Sequence, residues 1–184
     1  MISATEPDWT RERRPPGEWN PSKRLLACIR DYQRIERGGG LRRLRRGWCL
    51  LRHRFWSAVT GADIPLNSRL GGGLLLPHPT GVVIHPDAVV GPNCVIFQQV
   101  TLGTLASGGT QVIGGHVDIG AGAKLLGPIR VGDHAVIGAN AVVLTDVPAH
   151  HVAVGVPARC IPKQGFEPVL ALAIQSPVEC ALPT

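Results

Sequence analysis

The sequence predicts a mainly β fold, a parallel β-solenoid preceded by a short α-helical N-terminal region. Three observations predict it. From residue 61 onward, every sixth residue gives Ile64, Leu70 and Leu76, then, after two extra residues, Ile84, Val90, Ile96 and Leu102. After five further extra residues the frame resumes at Ile113, Ile119, Leu125, Val131, Ile137 and Val143. All 13 are Ile, Leu or Val, types that fill 32 of the 94 residues from 61 to 154, so an arbitrary frame would collect about four. Glycine follows the aliphatic directly at 71, 91, 103, 114, 120, 132 and 138. Small groups come four residues after it, at Ser68, Thr80, Ala88, Cys94, Ala123, Ala135 and Ala141. A short strand, a tight turn and another short strand would point each aliphatic inward and set each Gly at a bend. One hexad cannot bury its apolar face, but stacked coils make a continuous core. An amphipathic helix would need a period of 3.6 and fewer glycines.

The elements follow in order. Residues 1–60 hold 14 basic and 6 acidic residues, whereas 61–184 hold 5 and 7, and all four Trp lie in the first third. The chain therefore divides into a basic arm with two helices (1–60), a coiled domain (61–161) and a C-terminal tail (162–184). Residues 1–19 are polar and rich in Arg and Pro, and read as a loose arm. Asn20 before Pro21 reads as an N-cap with Pro at the first helical position. Leu25, Ile29 and Tyr32 continue with helical spacing until Gly38-Gly39-Gly40. A second helix carries Leu41, Leu44, Trp48, Leu51, Phe55 and Val59 on one stripe and six arginines on its other side, ending at Gly61. The stripe is expected to pack on the first coil and leave the arginines solvated, so neither nucleic acid nor a membrane is an expected partner.

Other classes drop out. The length of 184 residues suits one domain with a real core. No apolar run approaches the roughly 18–20 residues that span a bilayer. The first residues, MISATEPDWTRERRPPG, carry charges and Pro where a secretory signal needs an apolar stretch. Five scattered Cys without a CxxC pair argue against a disulfide framework and a Cys-based zinc site. The expected compartment is the cytoplasm.

The repeat (Ile/Leu/Val)-Gly-x-x-small-x resembles the hexapeptide repeat of left-handed β-helix acyltransferases. More narrowly, residues 61–161 resemble the serine O-acetyltransferase branch. The stretches that carry this are Gly-Ala-Asp-Ile (61–64), His-Pro-Thr-Gly-Val-Val-Ile (78–84), Gln-Val-Thr-Leu-Gly (99–103), Ile-Gly-Ala-Gly-Ala-Lys (119–124), Ile-Gly-Ala-Asn-Ala-Val-Val-Leu (137–144) and Gly-Val-Pro-Ala-Arg (155–159). The resemblance implies a three-sided left-handed prism, homotrimeric assembly, and acetyl transfer from acetyl-CoA to a hydroxyl acceptor. In that branch L-serine becomes O-acetyl-L-serine, a step of cysteine biosynthesis.

Moving an acetyl group from a thioester to an alcohol requires deprotonating the hydroxyl as it attacks, which suits a neutral imidazole. His78 sits where the two-residue insertion breaks the repeat. Asp63 lies 15 residues earlier, taken as about one coil, from where a carboxylate would fix the tautomer and stabilise the imidazolium. The spacing alone equally fits a His that caps a turn beside a turn-forming Asp. The resemblance implies the catalytic pair, with backbone amides at the bends stabilising the oxyanion. It also implies that Gly103, Thr104, Ala121 and Ala139 line the acetyl-CoA groove, although the repeat demands small residues at such bends anyway. Residues 104–112 form the second break, read as a lid or groove wall. Two departures stand out: the branch's Arg-His pair is replaced by Thr110-Gln111-Val112, and its acidic residue before the catalytic His by Pro77. The expected rivals are the same transfer onto a sugar, capsule precursor or specialised metabolite, and a non-catalytic or metal-binding β-helix. His85, His116, His134, His150 and His151 read as solvated, no metal is expected, and Cys94 reads as a core thiol. The Leu-Pro-Thr terminus leads us to expect no docking into the next enzyme of cysteine synthesis.

Overall fold

The computed structural model describes residues 2–35 and 42–163. The expected Gly38–Gly40 helix stop, Leu41 and the C-terminal tail from residue 164 fall outside the described residues.

From Asp63 the chain winds through triangular coils whose two- to four-residue strands stack into three sheets. One face stacks Arg69–Leu70 (β1), Val89–Val90 (β3), Val112–Ile113 (β6) and Arg130–Val131 (β9), all parallel. The next stacks Val95–Ile96 (β4), Asp118–Ile119 (β7), Val136–Ile137 (β10) and His151–Val154 (β12) in parallel, and adds Arg159–Pro162 (β13) antiparallel. The third stacks Val83–Ile84 (β2), Thr101–Gly103 (β5), Lys124–Leu126 (β8) and Val142–Val143 (β11). All 13 frame aliphatics are buried, each at most 8 % exposed. They interlock with the small inward residues Ser68, Ala88, Cys94, Ala123, Ala135 and Ala141, each fully buried. Thr80 departs from this rule and lies exposed, because the two-residue insertion hands its inward place to Val82.

The helical region caps the N-terminal end of the coils. Helix α1 (Pro21–Ile35) starts as expected, the Asn20 carboxamide accepting from the Lys23 N–H. Leu25, Leu26, Cys28 and Ile29 join the coil core, while Gln33 donates to the Ser68 carbonyl and Arg30 to those of Leu70 and Gly71.

Two expectations fail here. The arm is not loose. Its backbone wraps Asn93, which is fully buried, accepts from the Asp8 N–H at 2.8 Å, and donates to the Ser3 and Glu6 carbonyls at 2.7 and 2.8 Å. Glu12 pairs with Arg30 at 2.9 Å and accepts from the Leu74 N–H, and Trp9 lies against Gly72 and beneath the Arg30 guanidinium.

Nor does the apolar stripe of α2 (Arg42–Thr60) pack on the coil. Leu44 is 78 % exposed, Trp48 62 %, Leu51 61 %, Phe55 55 % and Val59 43 %, while Cys49, Trp56 and Thr60 are buried. Polar groups fix this rotation. His53 Nε2 meets the Ile64 carbonyl at 2.8 Å, Ser57 donates to Ala62, Thr60 donates to Trp56, and Arg52 faces Asp31 at 3.4 Å. All lie on the Cys49–Trp56 side, and turning the stripe inward would break the three that leave the helix, those of His53, Ser57 and Arg52.

Candidate active site

The edge between the second and third faces is where the two-residue insertion falls. Leu75 bridges Val95 and Asp63 bridges Val83, so the first coil takes 20 residues and the 15-residue spacing is not one coil. Asp63 stacks on Val83 instead. Its N–H donates to Val82, its carbonyl accepts from Ile84, and Gly61 accepts from the Gly81 N–H at 2.8 Å. The chain turns this edge at 78–81, so His78 leads into the same corner that Asp63 leaves. Both side chains are exposed, and neither makes a hydrogen bond or ion pair with the described residues. Pro77 and Pro79 flank His78 and restrict its backbone.

The same edge is turned in later coils by Gln98, Ala121 and Ala139. Gly122 N–H reaches the Gln98 carbonyl and Asn140 N–H the Ala121 carbonyl, each at 2.8 Å. The Gln98 side-chain oxygen is buried there with no partner among the described residues. Of the four small residues expected in the groove, Ala121 and Ala139 therefore share the edge of His78. Gly103 and Thr104 do not. They lie across the third face, where Gly103 pairs with Leu126. A cavity of about 240 Å³ adjoins Pro77, lined by Asn20, Ser22, Lys23, Leu74 and Leu76 among others.

The loop 104–111 folds onto the next coil. Gly108 N–H donates to the Leu105 carbonyl, and a side chain at Gly109 would meet the Pro128 ring. Its base is stapled by Gln111, fully buried, whose Nε2 donates to the Gly103 and Gly127 carbonyls at 2.6 and 2.8 Å. The sequence marked Gln111 only as part of the stretch that replaces the Arg-His pair, not as this staple. The signal was present: Gln111 stands two before Ile113, as Ser68 does before Leu70 and Cys94 before Ile96.

Cys94 is a core thiol. It is fully buried, donates to the Gly114 carbonyl at 3.2 Å, and burial pushes it up to about 11. Three histidines form a column on the edge between the first and second faces, His150 exposed as expected and His116 and His134 half-buried. The Nδ1 atoms of His116 and His134 lie within hydrogen-bond distance at 2.8 Å, and the His134 and His150 rings stack at 4.8 Å. All three are at positive φ, as is Asn93 below them. They contact one another instead of converging, and among the described residues no group of three His, Cys, Asp or Glu could hold a metal ion.

No family model matches the chain. The serine acetyltransferase of Synechococcus elongatus is 44% identical over 110 residues, 58% of this chain and 45% of that protein. That of Escherichia coli K12 is 47% identical over 110 residues, 58% of this chain and 40% of that protein. Soybean serine acetyltransferase complexed with serine superposes with a TM-score of 0.66 and 38% identity, over 77% of this chain and 57% of that one. Serine acetyltransferase from Brucella abortus in complex with coenzyme A gives 0.66 and 35%, over 77% of this chain and 56% of that one. The coiled region is similar to that of serine acetyltransferases. It is a left-handed parallel β-helix of hexapeptide repeats. The chain spans about half the length of the curated relatives it matches.

Against these relatives the two departures now have positions. Gln111 is spent inside the serine acetyltransferase-type coil, holding two carbonyls, so it cannot reach an acceptor. Pro77 places an uncharged ring directly before His78.

Proposed function

We propose that this chain is an acetyl-CoA-dependent O-acetyltransferase of the serine acetyltransferase class, with His78 as general base and Asp63 as its orienting carboxylate. The observation that carries this reading is that an exposed imidazole and an exposed carboxylate flank one edge of a serine acetyltransferase-type coil. Beyond Gln98, the small side chains of Ala121 and Ala139 turn that edge in the later coils. His78 Nε2 or Nδ1 takes the acceptor hydroxyl proton as the oxygen attacks the thioester carbonyl. Backbone N–H groups at the bends stabilise the tetrahedral oxyanion, and the proton passes to the departing CoA sulfur. Asp63 holds the ring tautomer and favours the imidazolium formed on the way. The raised Cys94 thiol, turned into the core, supports direct transfer over an acyl-enzyme.

Small residues fit an extended pantetheine arm. Ala121 and Ala139 lie on the His78 edge and Gly103 and Thr104 a face away, so one groove uses both sets where edges of two protomers meet. That supports a homotrimer, and the cytoplasm remains the compartment we propose for it.

L-serine is the first acceptor to test. The inward Gln111 and the neutral Pro77 remove charges that would grip a zwitterionic amino acid, and this favours a second reading with another hydroxyl acceptor, such as a sugar or specialised metabolite. Thiol release from acetyl-CoA, measured with L-serine, homoserine and sugar nucleotides, separates the two. With the best acceptor, His78→Ala loses at least ~10²-fold in kcat, while the exposed site leaves the fold intact. Wild-type-like turnover by that variant ends the mechanism.

A further inference from the structure

Helix α2 presents a surface that the acyl-transfer reading does not use. Leu44, Trp48, Leu51, Phe55 and Val59 follow one another at helical spacing and stand exposed along its length, about 28 Å for 19 residues. At 100° per residue, Arg43 and Arg54 flank this stripe on one side and Arg45 and Arg52 on the other. Residues 42–60 contain no Asp or Glu. Among the described residues, Arg42, Arg43, Arg45 and Arg54 have no carboxylate within ion-pair distance, and Arg52 faces Asp31 at 3.4 Å. A concavity of about 960 Å³ opens beside the stripe between α1 and α2, lined by Arg34, Arg42, Arg43, Arg45 and Arg52 together with Asp31, Trp48 and others.

We propose that this face docks on an anionic phospholipid surface, with the apolar stripe at the acyl boundary and the flanking arginines among the headgroup phosphates. The charge decides between occupants. A second copy pairing through the same face would set arginine rows against each other, since a two-fold contact is self-complementary. A nucleic acid would satisfy the arginines but would cover Leu44, Leu51, Phe55 and Val59 with phosphate and sugar, leaving their burial unrewarded. A bilayer interface satisfies both at once: apolar groups go to the acyl edge, Trp to the boundary and Arg to phosphate. The helix lies on the surface, since no helix among the described residues is long and apolar enough to cross a membrane. Nothing in this proposal depends on the chemistry at His78.

The test is co-sedimentation of the full chain with vesicles of phosphatidylcholine, and with vesicles that also contain phosphatidylglycerol. The expected result is retention on the anionic vesicles alone, weakening as salt rises. Leu44→Ser/Leu51→Ser keeps every charge and is expected to weaken retention at least about tenfold, and Arg43→Gln/Arg54→Gln to do the same. Circular dichroism of both variants should match the wild type, because all four side chains are exposed. Absence of retention on anionic vesicles at low salt overturns the proposal. So does a doubling of mass by light scattering that Leu44→Ser/Leu51→Ser abolishes, which makes a second copy the occupant. Salt-sensitive retention on DNA that this variant leaves unchanged, with none on vesicles, assigns the face to nucleic acid and overturns it too.

Discussion

The coil and the helical cap use aliphatic residues to opposite ends. In the coil every frame aliphatic is buried, whereas in α2 the whole described stripe is exposed and a mixed face of Cys49, His53, Trp56, Ser57 and Thr60 turns inward. A stacked coil leaves its chain no rotational freedom. Each strand is clamped above and below, so side-chain alternation dictates what faces in. A helix can rotate about its axis, and the backbone carbonyls it must satisfy at the Ala62–Ile64 junction choose the rotation. Hydrophobic pattern fixes burial where the backbone is already committed, and polar bonds fix it where the backbone can turn.

Substitutions sharpen this contrast. The largest expected effect is Ile119→Ala at the centre of the stack, a fully buried position, costing about 2–5 kcal/mol of unfolding free energy by denaturant titration. A loss as small as that of a surface substitution there would break the contrast. Asn93→Ala comes next. It removes three hydrogen bonds that pin residues 3–8, and should cost about 1–3 kcal/mol and speed amide exchange in the arm while strands β7 to β11 stay protected.

The histidine column gives a smaller, pH-dependent term. Burial first, then His134, Lys163 and Arg11, hold His116 below its ordinary value of 6.5, with Asp118 opposing. Above that value both folded and unfolded states are neutral and His116 contributes nothing to the pH dependence. As pH falls below it the unfolded chain takes the proton first, so stability declines until the folded value is passed. His116→Asn keeps a residue tolerant of positive φ and should flatten the decline of thermal midpoint between neutral and acid pH. An unchanged slope would overturn this role for His116. Smallest of all is Leu51→Ala on the exposed stripe, expected within about 0.5 kcal/mol of wild type in the same titration.

The coil was legible because its period is a geometric necessity, and Ile64 through Val143 reported it residue by residue. His78 was legible because an insertion in a strict repeat has to leave the stack somewhere. What escaped was relational. The 15 residues between Asp63 and His78 looked like one coil, yet the bulge at 78–81 lengthens that coil to 20, and only the Asp63–Val83 bridge shows that the two share an edge by another route. Asn93, His116, His134 and His150 occupy one corner with positive φ, a recurrence that polarity alone disguised as solvated surface. The arm escaped because backbone groups of Ser3, Glu6 and Asp8 meet the Asn93 carboxamide, which no pattern of side chains encodes.

One feature of the last coil reaches beyond the single molecule. A pile of parallel strands is a growing end, ready to accept another identical layer and extend without limit. Here Arg159–Pro162 reverses direction along His151–Val154, and Pro162 with Lys163 beside it offers the next layer a missing donor and a charge. With α1 stoppering the opposite end, the protein carries its own terminators against fibre formation.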